Sequence, residues 1–180
     1  MSKPLLQLKT TTLIDADTIA ARVRELGQEI KEYYQDQPLT LITIMNGAMI
    51  FGADLARAID MPLWMDSLRV SSYQGLGSSG SVSFASAPKL PLNGRHILLI
   101  DDILDTGLTM KKVIRKMLRE QPLSIKTCVM FDKQVTRVEG GPDRADWTGF
   151  QIPPKYIVGY GLDAEEYYRN QSGISIVLND

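Results

Sequence analysis

The run HILLIDDILDTGLTM, residues 96–110, decides how the rest of the chain is read. After His96 come four apolar residues, Ile97 to Ile100, then the acids Asp101 and Asp102, a third acid at Asp105, and Thr106-Gly107-Leu108-Thr109. A short run without polar alternation fits a strand covered on both faces, as in a parallel sheet. Polar residues end it, and a helix follows from about Leu108, with Met110, Val113, Ile114, Met117 and Leu118 as its apolar face. Lys111, Lys112, Arg115, Lys116 and Arg119 fall on the opposite side. Cations there suit the C-terminal half of a solvated helix and need no ligand to explain them.

The same alternation extends to both sides. Upstream, Ile19, Val23, Leu26 and Ile30 mark one face of a helix that Asp15 and Asp17 start. LTLITIM (39–45) reads as a buried strand, Gly47 as a tight turn, and residues 48–59 as a helix. PLWMDSLRV (62–70) is a further strand, and 71–88 is a long stretch poor in apolar clusters, suited to a mobile lid loop. Downstream, SIKTCVMF (124–131) is a strand, followed by a Gly/Pro/Asp-rich connection and KYIVGYG (155–161). A short helix near Ala164–Arg169 and a last strand ISIVL (174–178) complete the chain. Strands alternating with helices predict an α/β fold with a mainly parallel sheet flanked by helices. No repeat or linker divides the chain, so residues 1–180 are expected to form one domain.

Several functional classes are disfavoured at once. A formal net charge of -1 lacks the basic excess of a duplex-binding protein, so no nucleic-acid partner is expected. No segment approaches the ~20 apolar residues of a membrane span. The N-terminus MSKPLLQLKTTT lacks an apolar region of signal-peptide length, so a cytoplasmic protein is expected. The single cysteine, Cys128, lies in an apolar run and reads as a buried thiol. GLGSSG (75–80) matches G-x-G-x-x-G, but SVSFASAP follows where a dinucleotide site needs a helix. His96 is the only histidine, which disfavours a zinc site or a Ser-His-Asp triad, and no Walker A lysine pattern occurs.

What remains is the acidic strand end. Ligands of open α/β sheets bind at the carboxyl ends of strands. Thr106, Gly107 and Thr109 offer hydroxyls and approachable N–H groups at a helix start, which suits a phosphate. Adjacent carboxylates repel phosphate and instead accept from sugar hydroxyls or hold a hydrated Mg²⁺. Capping one helix needs one such side chain, whereas positions 101–105 hold three carboxylates. The ligand called for is a sugar diol at one end and a phosphate at the other.

LLIDDILDTGLTM resembles the binding signature of the type I phosphoribosyltransferases for phosphoribosyl pyrophosphate (PRPP). An acid at Asp105 narrows the resemblance to the hypoxanthine-guanine phosphoribosyltransferases. It extends over LITIMNGAMIFGADLARAID, SSY, DK and PPKYIVGYGLDAEEYYRN in matching order. The resemblance implies a small hood formed by the terminal segments and a Mg²⁺-dependent purine-salvage reaction. In it the phosphoribosyl group of PRPP passes to hypoxanthine, guanine or xanthine, giving a nucleotide and pyrophosphate. It also implies a homodimer or homotetramer.

By the same resemblance, Asp101 and Asp102 hold ribose hydroxyls and Mg²⁺, and Asp105 is the general base, accepting the proton at purine N7. Thr106, Gly107, Leu108 and Thr109 wrap the 5′-phosphate. Asn46 and Gly47 form the pyrophosphate turn, Ser72 and Tyr73 begin the lid, and Arg169 meets the leaving pyrophosphate. Lys133 donates to the 6-oxo oxygen, Tyr156 stacks on the base, and Ile157 contacts it through its backbone. Asp163 ligates Mg²⁺ at the pyrophosphate and is counted with the purine-binding residues. Two positions depart from the pattern: Asn46 stands where lysine is common, and Asp101 where glutamate is common. A rival from another class is a non-catalytic regulator that senses a nucleotide and binds RNA on the same fold, which an intact Asp105 disfavours.

Overall fold

A computed structural model of the chain describes residues 7–73 and 81–178. Its elements are β1 (Thr10–Ile14), α1 (Ala16–Tyr34), β2 (Leu39–Met45), α2 (Met49–Ile59), β3 (Leu63–Tyr73) and β4 (Ser81–Ser86), followed by β5 (His96–Leu104) and α3 (Leu108–Met117). The remaining strands are β6 (Ser124–Lys133), β7 (Trp147–Ile152), β8 (Ile157–Val158) and β9 (Ile174–Val177). The main sheet has six strands in the order β4-β3-β2-β5-β6-β7. All neighbours run parallel except β3 and β4. The expected mainly parallel α/β architecture is therefore observed.

Alternation along the central strands sorts side chains to two cores. Leu39, Leu41, Leu98, Ile100, Cys128 and Met130 pack with α1 and α2, whereas Ile42, Ile44, Ile97, Leu99 and Val129 pack with α3. Helix α1 starts where Asp15 accepts from the Thr18 N–H at 2.9 Å, and it buries Ile19, Val23, Leu26 and Ile30. Each such side chain contributes roughly 1.5–3 kcal/mol on burial. Gly27 lets α1 lie directly on α2, since a β-carbon there would stand 2.5 Å from the Ala58 carbonyl.

The terminal segments form a second sheet, antiparallel, in the order β1-β9-β8. It is the small hood that the resemblance implied. Among the described residues no helix is long and apolar enough to cross a membrane.

Several local expectations are corrected. Helix α3 ends at Met117, so Leu118 opens a 3-10 turn and is 57% exposed instead of completing the apolar face. The stretch 71–88 holds the end of β3 and all of β4, paired as Ser72↔Val82 and Tyr73↔Ser81. Its centre, residues 74–80, lies outside the described residues, as do the glycines of GLGSSG. A strand follows Gly80, in keeping with the rejected dinucleotide pattern. The Gly/Pro/Asp-rich connection after β6 contains an additional strand, β7, at the sheet edge. No helix forms at 164–169: Glu165, Glu166 and Tyr168 have positive φ, and Ala164 bridges Tyr167 across a tight turn.

Candidate active site

The carboxyl ends of β2 and β5 open into one cleft. Its walls are the Asn46-Gly47 turn, the segment from Asp101 to Met110, Val70 of β3, and Asp163 and Arg169 beneath the hood. Strand β5 continues past Ile100 to Leu104, so Asp101 and Asp102 are strand residues and not the loop that follows. Asp101 is 8% exposed, and its Oδ1 accepts from the Asp102 N–H at 3.1 Å. Oδ1 of Asp102 accepts from the Ile103 N–H at 2.7 Å.

Burial, reinforced by the neighbouring Asp102 carboxylate, pushes Asp101 well above the ordinary carboxylate range. Burial also raises Asp102, although the hydrogen bonds it accepts and the positive field of Arg169 work against the shift. Two carboxyl groups held together at the cleft floor suit hydroxyl donors or a hard cation with oxygen ligands.

Gly47 lies against this pair. A β-carbon on it would stand 1.8 Å from Asp102 Oδ2. From the other side Gly161 packs so closely that its own β-carbon would meet the Gly47 carbonyl oxygen at 2.0 Å. Gly161 also has φ +100°, a conformation that L side chains rarely adopt. Hood, turn and acidic strand thus meet through two bare backbones. The peptide between Met45 and Asn46 is cis.

Beyond Asp105 the chain turns sharply. Gly107 has φ +79° and precedes α3, its carbonyl accepting from the Lys111 N–H at 2.9 Å. Thr106, Gly107, Leu108 and Thr109 therefore line the cleft at a helix start. The half-exposed Asp105 faces Lys133, the last residue of β6, with Nζ 3.4 Å from Oδ2.

On the hood side, Arg169 donates to Asp163 Oδ1 at 2.7 Å, Glu166 Oε2 at 2.9 Å and the Gly161 carbonyl at 2.7 Å. Asp163 Oδ2 accepts from the Glu166 N–H at 2.9 Å. Tyr156 is 54% exposed and donates its hydroxyl to the Asp163 carbonyl at 3.1 Å. Ile157 buries its side chain in the core and pairs with Ile176.

Asn46, Gly47, Asp101, Asp102, Asp105, Thr106, Gly107, Leu108, Thr109, Asp163 and Arg169 thus share one cleft. Lys133 joins it through Asp105, and Tyr156 through Asp163. Ser72 and Tyr73 end β3. Sequence reading overlooked Gly161, whose role in the close contact with Gly47 depends on a tertiary approach that no local pattern marks.

Residues 9–165 match the phosphoribosyl transferase domain family. The chain is 40% identical over 171 residues to a hypoxanthine-guanine phosphoribosyltransferase of Aquifex aeolicus, covering 94% of this chain and 95% of that protein. It is 34% identical over 174 residues to a hypoxanthine-guanine-xanthine phosphoribosyltransferase of Tritrichomonas foetus, covering 97% and 94%. Among solved structures, a hypoxanthine-guanine phosphoribosyltransferase from Bacillus anthracis with a HEPES molecule in its active site superposes with a TM-score of 0.88. That similarity is at 31% identity and spans 96% of this chain and all of that one.

Proposed function

The chain belongs to the hypoxanthine-guanine phosphoribosyltransferases, and on that premise we propose that its cleft joins a 6-oxopurine to the ribose of PRPP in a Mg²⁺-dependent purine-salvage reaction. The observation that carries this reading is the Asp105–Lys133 pair, 3.4 Å apart beside the Thr106–Thr109 turn. A 6-oxopurine presents N7 and O6 side by side on one edge. An acceptor and a donor held as neighbours match that edge, with Asp105 taking the N7 proton and Lys133 donating to O6. An amino group at C6 is itself a donor and would confront the ammonium of Lys133, so adenine is disfavoured.

In this reading the Thr106–Thr109 turn holds the 5′-phosphate, and Asp101 and Asp102 accept from the ribose hydroxyls. Among the described residues no three carboxylates gather into a metal cage, so Mg²⁺ would be held by Asp101 and Asp102 on the ribose side and Asp163 on the pyrophosphate side through its bound waters and the substrate's own oxygens. When bound, Mg²⁺ neutralises the departing pyrophosphate. Arg169, which pairs with Asp163 at 2.7 Å, would meet the pyrophosphate beside Asn46 and Gly47. Tyr156 stacks on the base, worth about 1–3 kcal/mol for any purine, and Ile157 offers it main-chain atoms. Asp105 accepts the purine proton as the ring nitrogen attacks the anomeric carbon. Water has to be kept from the reacting centre, since it would otherwise hydrolyse PRPP.

The regulator reading gains no support, because Asp105, which such a protein would not need, stands paired in the cleft. A cytoplasmic homodimer or homotetramer completes the proposal. Exposed Trp64 and Leu123 line one recess and supply apolar surface for self-association, which sedimentation would measure.

The deciding assay offers hypoxanthine, guanine, xanthine and adenine separately with PRPP and Mg²⁺ and follows nucleotide and pyrophosphate. Turnover of one or more 6-oxopurines with adenine inert is expected. Absence of turnover with every base, while PRPP or nucleotide binds, would overturn the catalytic reading.

A further inference from the structure

The ladder between β5 and β6 ends at the pair Leu104↔Asp132. Next come Asp105, just past β5, and Lys133, the last residue of β6, the two proposed readers of the purine edge. Beyond the ladder no strand hydrogen bond fixes their separation, yet both must meet adjacent atoms of one flat ring. One side chain spans this fork. Arg137 donates from Nη1 to the Lys133 carbonyl at 3.0 Å, to the Leu104 carbonyl at 3.2 Å and to the Asp105 carbonyl. Its Nη2 bonds Asp132 Oδ1, and its Nε reaches the Asp143 carbonyl at 3.3 Å. The guanidinium is deeply placed, with 12% of the side chain exposed.

We propose that Arg137 is a positioning residue for base recognition, fixing the main chain of Asp105 against that of Lys133 so that acceptor and donor meet N7 and O6 together. This inference rests on the purine-edge reading of those two residues. Arginine is suited to the task because its planar fork presents five N–H donors in fixed directions, whereas the ammonium of lysine is a point charge on a flexible stem. The phosphate turn has a separate tie, since the Val138 N–H donates to the Thr106 carbonyl at 2.8 Å. Loosening Arg137 should therefore disturb the base more than PRPP.

The burial of Asp132 makes simple truncation a poor test, because it would strand a carboxylate that is only 11% exposed. Arg137→Lys keeps a positive charge and removes the fork. The double variant Asp132→Asn with Arg137→Gln removes both charges and the fork together. Each would be melted and assayed for the Michaelis constants of hypoxanthine and PRPP, for kcat, and for the hypoxanthine-to-adenine ratio of kcat/KM. In variants that still melt cooperatively, kcat should fall about 10–100-fold through misplacement of Asp105, and the hypoxanthine KM should rise about tenfold. The PRPP KM should stay within about threefold, and the base ratio should narrow.

A merely structural role would lower melting temperature and active fraction alike and leave both KM values and the base ratio in place. That outcome in both variants overturns the proposal. Asp105→Asn and Lys133→Gln run in parallel separate the two levels. If they impair turnover and base choice while the Arg137 variants do not, only the positioning role fails. If they leave turnover and base choice intact, the purine-edge reading falls and the role of Arg137 with it.

Discussion

Gly47 lies so close to Asp102 that a β-carbon on the glycine would stand 1.8 Å from the carboxylate oxygen Oδ2. The contact joins the proposed pyrophosphate turn to the proposed ribose-binding acid, and Gly161 seals it from the hood side. A methyl group at position 47 has to displace one of them. Gly47→Ala should lower kcat/KM by about a hundredfold or more, the scale on which displacements of about 1 Å act at a reacting centre. Steady-state kinetics with varied PRPP checks this, and a variant with native kinetics would show the contact to be unimportant.

The acidic floor predicts a conflict between stability and activity. Asp101 titrates well above the ordinary carboxylate range because it is buried and lies against Asp102. Between the unfolded and the folded pKa the native state holds more protons than the unfolded chain, so stability falls as pH rises through that window and stays reduced above it. Asp101→Asn removes the buried charge. The variant should melt higher than the parent at pH 8, by about 0.5–2 kcal/mol in stability, with the gain shrinking toward pH 4, while turnover is lost. Thermal melts across this range test the sign. A variant less stable at pH 8 than at pH 4, relative to the parent, would refute it.

The acidic site was legible in the sequence because its pieces are local. The strand, the carboxylates and the Thr-Gly-Leu-Thr turn are contiguous, and hydrophobic period and residue chemistry suffice to read them. Strand β7 was not legible, since its Gly149 looks like a loop signal. In the fold that glycine lets the strand approach β6, where a β-carbon would stand 2.4 Å from the Met130 carbonyl oxygen. Residues 164–169 carry helix-favouring side chains, but Arg169 is drawn to Asp163 and the Gly161 carbonyl, and the chain turns left-handed at Glu165 and Glu166. Tertiary contacts outweigh a weak local preference there. For Arg137 no sequence pattern marks a role, because its contacts to the Leu104 and Asp105 carbonyls arise only when the chain after β6 folds back on the end of β5.

Asp146 shows the opposite pH behaviour and anchors β7 to β6. Burial alone would raise its carboxyl group, but hydrogen bonds from Lys126, the Thr127 N–H and the Thr127 hydroxyl outweigh this and hold it below the ordinary value. The distances are 2.8, 2.8 and 2.9 Å. A depressed folded pKa gives stability that is present above the unfolded pKa and lost as pH falls through the folded one. Asp146→Ala should therefore destabilise the protein by about 1–3 kcal/mol at pH 7, and the deficit should narrow below about pH 4. Urea unfolding at the two pH values measures it, and an equal deficit at both would assign the effect to packing.

Base choice gives the sharpest test of the purine pocket. Lys133 keeps 19% of its side chain exposed and directs its ammonium to Asp105. As a donor without acceptor capacity it rewards a 6-oxo group and opposes a 6-amino group. Lys133→Gln replaces it with an amide whose oxygen can accept from an amino group and whose NH₂ can still donate. A site built around one hydrogen bond to its substrate can discriminate by ~10⁴ or more, so exchanging that donor should shrink the hypoxanthine-to-adenine ratio of kcat/KM by about a hundredfold. Most of the change should come from loss with hypoxanthine, because the proposed N7 acceptor, Asp105, is left in place for either base. The PRPP KM should move little, since the acidic floor lies on β5 and the proposed 5′-phosphate turn joins β5 to α3, neither of them on β6. Measuring kcat/KM for both bases in both proteins decides the matter: an unchanged ratio would place 6-position recognition elsewhere in the cleft and leave Lys133 as the counterion of Asp105.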